Sequence, residues 1–220
     1  MKVGTDSIVL GSWVPVHHAK RILDIGTGTG ILSLMLAQRT SHEVIVDAVE
    51  LDEAAACQAE ENINESPWRD RIQVIHQNIL TYDAPRYDLI VTNPPYFQHG
   101  QEWGNESRQR ARHTGELDHA SLLQVASRLL KPDGKFGLVL PVDVGASVEF
   151  IAKEAGWFVS RRCWIETKRG KVANLVLLLL TRYETGCQEE QLCLRETDNR
   201  YSDEFTALAD EFYLNMAAAR

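Results

Sequence analysis

Asn93-Pro94-Pro95-Tyr96 ends an apolar run, Tyr87-Asp-Leu-Ile-Val-Thr92, and these residue types define a piece of acceptor chemistry. Proline fixes φ, lacks an N–H, and pushes the residue before it out of the helical region. A strand that stops this way holds the Asn93 amide oxygen and the Pro94 carbonyl outward, beside the Tyr96 ring. Two acceptors next to a flat apolar platform suit a planar group bearing an NH2. Upstream, Leu23-Asp24-Ile25-Gly26-Thr27-Gly28-Thr29-Gly30 allows close approach of a ligand to the backbone and leads into a helix start with unpaired N–H groups. The spacing is G-x-G-x-G; a dinucleotide-binding G-x-G-x-x-G needs glycine at position 31, which is Ile31. Asp24, two residues before the first glycine, attracts an ammonium and repels a pyrophosphate. Glu50 ends the next apolar run, with two oxygens able to accept from both hydroxyls of a ribose.

Together Asp24, the glycines and Glu50 describe a pocket for an amino-acid-bearing nucleoside, a composition that S-adenosylmethionine has. Elements must bring these groups to one place. Apolar runs alternate with helix-period segments, which signals an α/β layered fold. Strands are expected at 21–25, 44–49, 71–76, 87–92 and 135–140, and helices at 31–39, 53–64, 118–130 and 143–155, with Asp52 and Asp118 as N-caps. Pro132-Asp-Gly134 reads as a turn. The runs 157–166 and 172–181 read as an antiparallel hairpin closing a mostly parallel sheet. In such sheets ligands bind at the C-terminal strand ends, where Asp24, Glu50 and Asn93 all fall. Segment 97–117, polar and directly after the bracket, reads as a lid or substrate contact. Segment 183–200 is acidic and turn-rich, and 201–219 has helical spacing.

With 220 residues, 44% hydrophobic and 25% charged, the chain fits a single domain over residues 1–220. Its longest apolar stretch, 172–180, falls well short of the roughly 20 residues that span a bilayer, and the start has no apolar segment of the export type. Four cysteines without a C-x-x-C pair and seven histidines without ligand spacing lead us to expect reduced thiols, a cytoplasmic setting and no metal. A net charge of -8 argues against a protein that coats nucleic acid. Two local basic clusters nevertheless stand out: Arg108, Arg110, Arg112 and His113, and Arg161, Arg162, Lys168, Arg169 and Lys171.

The glycine loop, Asp24, Glu50 and the bracket resemble the class I S-adenosylmethionine-dependent methyltransferases, and within them the Asn-Pro-Pro-Tyr amino-methylating enzymes. The resemblance implies a Rossmann-like fold: a seven-stranded, mostly parallel sheet in the order 3-2-1-4-5-7-6, its last strand antiparallel, with helices on both faces. It places Asp24, Gly26, Gly28 and Gly30 around the cofactor's methionine end, Glu50 at its ribose and Leu51 at its adenine. Asn78 takes the position from which an acid usually reaches the adenine amino group. Asn93, Pro94, Pro95 and Tyr96 become the catalytic bracket, in which the acceptors draw the target nitrogen toward tetrahedral geometry and Tyr96 stacks on the substrate.

The bracket serves adenine N6, guanine N2 and glutamine amides alike. Lys2–Trp13, Asn62–Trp68, Ala111–Thr114, Leu117–His119 and Phe212–Leu214 resemble, over nearly the whole chain, the bacterial tRNA methyltransferase family that forms N6-methyladenosine at nucleotide 37 of a valine tRNA. This implies a tRNA partner met by Phe97, Arg108, Arg110, Arg112, Lys168 and Arg169, with Thr5, Asp6 and Asn93 also touching the cofactor. Ser7 stands where that family usually has glycine. The family also usually has a basic, aromatic extension before this segment, so a shortened start is expected. Two other readings stay open: a glutamine N5-methyltransferase acting on a release factor, whose relatives usually carry a helical N-terminal domain, and a cofactor- or RNA-binding domain without turnover.

Overall fold

The computed structural model describes residues 4–94 and 117–213. Its centre is an eight-stranded sheet in the order β3-β2-β1-β4-β5-β7-β6-β8. The strands are β1 (Arg21–Ile25), β2 (Ile45–Glu50), β3 (Ile72–His76), β4 (Tyr87–Thr92), β5 (Leu130–Pro141), β6 (Phe158–Glu166), β7 (Leu175–Thr181) and β8 (Gln188–Cys193). Strands β1 to β5 are parallel, and β7 runs antiparallel to both β5 and β6. The seven expected strands thus appear in the expected order. The eighth, β8, corrects the reading of 183–200 as turn-rich: it pairs parallel to β6, from Arg161 opposite Gln188 to Glu166 opposite Cys193. Its acidic residues are partners for β6. Arg161 donates to both oxygens of Glu190 at 2.8 and 2.9 Å, and Arg162 bonds Glu189.

Both sheet faces are buried, which explains why the strands read as continuous apolar runs. Alternate residues serve opposite cores, as the two-residue period of a strand requires. Ile22, Leu89, Val91 and Leu177 face one core together with Leu10, Leu36, Ala59 and Phe205. Leu23, Ile90, Leu178 and Leu180 face the other with Leu122, Phe136 and Val148. The first core is covered by α1 (Thr5–Trp13), α2 (Ile31–Gln38), α3 (Glu53–Asn64) and α6 (Asp203–Ala209), and the second by α4 (His119–Leu129) and α5 (Val142–Glu154). Asp52 and Asp118 cap α3 and α4 as expected, accepting from Ala55 N at 2.8 Å and Ser121 N at 2.6 Å. Pro132-Asp-Gly134 is a bulge inside β5, since pairing jumps from Tyr87 opposite Leu130 to Leu89 opposite Lys135. A Cβ at Gly134 would lie 2.7 Å from Leu130 Cγ, so a larger residue there would displace the Leu130 side chain.

The helix α1 has no polar stripe: Ser7 and Val9 to Trp13 are all buried, so no amphipathic period marked it. Arg39 closes its C-terminal end, donating to the carbonyls of Gly11 at 2.5 Å and Val14 at 2.9 Å, where a cation also complements the helix dipole. Among the described residues no helix is long and apolar enough to cross a membrane.

Candidate active site

Register gathers the site. Ile25 of β1 lies opposite both Val49 of β2 and Thr92 of β4, so Asp24, Glu50 and Asn93 share one edge of the sheet. The Thr92 hydroxyl donates to the Ile25 carbonyl at 2.8 Å, pinning the start of the bracket to the glycine loop. In that loop Gly26, Gly28 and Gly30 all have positive φ, at 69°, 59° and 83°, a region that strains side-chain-bearing residues. At Gly26, chain neighbours aside, no heavy atom of the described residues lies within 4 Å of the place a Cβ would take.

Asp24 is fully buried. Its Oδ2 accepts from the hydroxyls of Thr27 at 2.6 Å and Ser33 at 2.7 Å, whereas its buried Oδ1 has no hydrogen-bond partner among the described residues. Burial pushes its pKa up to about 6, against the lowering effect of the two hydroxyls, and the Glu50 charge adds to the rise. Asp47, the other buried acid among the described residues, differs in kind. It is paired with Arg21 at 2.6 Å and accepts from the Tyr87 hydroxyl at 2.5 Å. An orphaned carboxylate oxygen therefore occurs at Asp24, a place whose chemistry suits an ammonium from outside the chain.

Glu50 does more than await hydroxyls. Its Oε2 accepts from Gly28 N at 2.8 Å and its Oε1 from Leu51 N at 2.8 Å and Asp52 N at 3.0 Å, so the carboxylate ties the glycine loop to the β2–α3 turn. Oε2 keeps a lone pair for a further donor, whereas Oε1 already accepts two. Beside it Leu51 is 59% exposed, an apolar surface of the kind an adenine ring covers. The Asn78 side-chain carbonyl accepts from Leu80 N at 2.9 Å and so closes its own turn, with one lone pair left. The orphaned oxygen, the glycine arc, the ribose-height carboxylate and the exposed leucine fit S-adenosylmethionine.

Asn93 is half-buried, and its Nδ2 donates to the hydroxyl of Ser7, 2.9 Å away on α1. That bond occupies the Nδ2 end of the amide, whose Oδ1 is the acceptor end. Sequence reasoning flagged Ser7 only as a departure from glycine and missed its bond to Asn93. Thr27, inside the loop, and Ser33, in the first turn of α2, were also missed. Pro94 is buried. Pro95, Tyr96, Phe97, Arg108, Arg110 and Arg112 lie outside the described residues. Thr5 and Asp6 sit on the first turn of α1 and line a cleft at the ends of β5 and β7. Arg169 is already engaged, bonding Glu196 at 2.7 Å and Glu204 at 3.0 Å, while Lys168 Nζ donates to Asn199 Oδ1 at 2.8 Å. No group of three or more His, Cys, Asp or Glu with metal-holding geometry occurs among the described residues.

The sequence profile of the methyltransferase small domain family matches residues 2–153. A protein of Tolumonas auensis named tRNA1(Val) (adenine(37)-N6)-methyltransferase is 67% identical over 218 residues, covering 99% of this chain and 92% of its own. A namesake from Enterobacter sp. (strain 638) is 48% identical over 219 residues, covering 98% and 89%. Among solved structures, that of a predicted O-methyltransferase from Agrobacterium tumefaciens superposes with a TM-score of 0.71 at 18% identity, covering 93% of this chain and 95% of its own. The glycopeptide N-methyltransferase MtfA complexed with S-adenosylmethionine gives 0.58 at 15%, covering 81% and 95%. At those identities the likeness is one of fold.

Proposed function

The chain belongs to the methyltransferase small domain family and, within it, to the tRNA1(Val) (adenine(37)-N6)-methyltransferases, and from that premise we infer how its residues carry the reaction. The enzyme transfers the methyl group of S-adenosylmethionine to N6 of adenine 37 in tRNA1(Val). When bound, the cofactor supplies an electrophilic methyl on a sulfonium, so the chain has to align a nitrogen in line with it and exclude water. Asp24 Oδ1 holds the ammonium, the arc of Gly26, Gly28 and Gly30 leaves room for the methionine end, and Glu50 accepts from the ribose. Leu51 covers the adenine, whose amino group donates to Asn78; Thr5 and Asp6 close over the cofactor from α1.

At the bracket, Asn93 Oδ1 and the Pro94 carbonyl accept from the two N–H bonds of the target amine. This favours the charge that develops on nitrogen as it attacks and moves the amine out of conjugation with the ring. Pro95 keeps the bracket rigid and Tyr96 stacks on the adenine, with Phe97, Arg108, Arg110 and Arg112 following on to the RNA. The target base must leave its stack, at a cost of roughly a few kcal/mol in a duplex and little in a loop. The displacement draws on no metal. Residues 1–220 act as one catalytic domain, and work on tRNA fits a cytoplasmic enzyme that needs no membrane.

The observation that carries this reading is the Asn93 amide, fixed by Ser7 at 2.9 Å on the same sheet edge as the orphaned oxygen of Asp24. Labelled methyl transfer to tRNA from cells lacking the enzyme, followed by nucleoside analysis, tests it; N6-methyladenosine is the expected product. Label found solely on a release factor would refute it. For the bracket, Asn93→Ala should lower transfer by about 10²–10³-fold, the usual loss when one transition-state partner is removed. Cofactor affinity by calorimetry should persist in that variant.

A further inference from the structure

A cleft of about 450 Å³ runs along the sheet's C-terminal edge, lined by Thr5 and Asp6 at the cofactor side and beyond them by Pro141, Asn174, Arg195 and Tyr201 among others. One end adjoins the transfer site. Pro141 ends β5, the neighbour of β4, and Thr5 and Asp6 open the helix whose Ser7 holds Asn93. The other end lies just past β8, where the Arg195 guanidinium sits 4.2 Å from the centre of the Tyr201 ring. Tyr201 is itself fixed, packed against Phe205 at 5.4 Å and Tyr213 at 5.6 Å. Asn199, with φ 70°, gathers a second cation there. Its carbonyl accepts from Arg195 Nη1 at 2.7 Å and its side chain from Lys168 Nζ at 2.8 Å.

Among the described residues neither Arg195 nor Lys168 pairs with a carboxylate, and Glu196 and Glu204 bond Arg169 instead. The acidic lining residue, Asp6, is at the opposite end. Resting on the RNA-methylating reading, we propose that this cleft is an RNA groove for the unpaired nucleotides that flank the target adenine. A distal base stacks on the Arg195 plane, which Tyr201 backs, while Arg195 and Lys168 meet phosphates. Continuity with the transfer site and the cationic far rim favour unpaired RNA over a peptide.

The reach follows from the sheet. From β4 to β8 there are four strand steps in the observed order, which at ~4.8 Å each is about 19 Å. Stacked nucleotides at ~3.4 Å cover that distance in about six, and splayed ones in fewer. A trinucleotide centred on the target stops short of Arg195, whereas an anticodon stem-loop reaches it.

The test measures binding and methyl transfer for the wild type, for Arg195→Gln combined with Lys168→Gln, and for Arg195→Lys, on a stem-loop and on a trinucleotide carrying the target adenine. The double variant should bind the stem-loop about tenfold more weakly. Its log–log salt slope should be shallower by about 1.4, two phosphates at roughly 0.7 each. Trinucleotide turnover and cofactor affinity should match the wild type, and Arg195→Lys should keep the salt slope. Unchanged stem-loop affinity overturns the proposal. So does an equal loss on stem-loop and trinucleotide, which would mean the residues act on the fold or the transfer site. If the wild type methylates no tRNA, the functional reading fails alone, since the binding arm still decides the groove.

Discussion

Asp24 offers the sharpest test, because its cofactor role and its cost to the fold share one cause. Burial raises its pKa from an ordinary 3.8 to about 6. Unfolded, the carboxyl ionises near pH 4; folded without cofactor, it keeps its proton to about pH 6. Between those values the folded state binds more protons, so this group's contribution to stability falls as pH rises, then levels off. A rise from 3.8 to about 6 corresponds to about 3 kcal/mol at neutral pH. Asp24→Asn removes the titration but keeps an acceptor for Thr27 and Ser33. Urea unfolding of both cofactor-free proteins between pH 4 and pH 7.5 should show the variant gaining on the wild type by about 3 kcal/mol across that window, then staying level. Parallel pH curves would refute the argument, as would a variant less stable than the wild type at pH 7. The converse holds for binding. Cofactor affinity of the wild type should fall as pH drops below about 6, because the ammonium loses its counter-charge, and Asp24→Asn should abolish that dependence together with most of the affinity.

Ser7→Ala removes one neutral hydrogen bond from the Asn93 amide, worth about 1 kcal/mol, so kcat should drop about fivefold while cofactor affinity holds. An unchanged kcat in steady-state assays would show that Ser7 does not position Asn93. Glu190→Ala strips partners from Arg161 and from Trp13 Nε1, which donates to Glu190 at 2.7 Å, and should cost about 2 kcal/mol in chemical denaturation. Because Trp13 ends α1, the same variant should protect the α1 amides less from hydrogen exchange; wild-type protection there would disconnect β8 from the site.

The parts of the fold that were legible in the sequence are those specified locally. Strands β1, β2 and β4, with Asp24, Glu50 and Asn93 at their ends, follow from apolar runs punctuated by glycine and proline. The caps Asp52 and Asp118 follow from residue type and place alone. Helix α1 was not legible because helical periodicity shows only when one face stays wet, and α1 is enclosed by α2, β5 and α6. The Ser7–Asn93 bond spans 86 positions and needs α1 to be placed before it can be seen.

One cause joins the two charge features that sequence reading separated. The basic cluster 161–171 and the acidic stretch 183–200 are two sides of one structure. Arg161 holds Glu190, Arg162 holds Glu189, and Arg169 holds Glu196, each pair bringing a strand or turn of the second segment onto the first. A run of arginines read without its partners looks like an RNA surface, and a run of glutamates read without theirs looks like a loop. Once the ion pairs are subtracted, the cationic surface moves: Arg195 and Lys168 donate to oxygens of Asn199 rather than to carboxylates, and keep their charge for a phosphate. A chain of net charge -8 can bind tRNA on this account through local cations that its carboxylates do not engage.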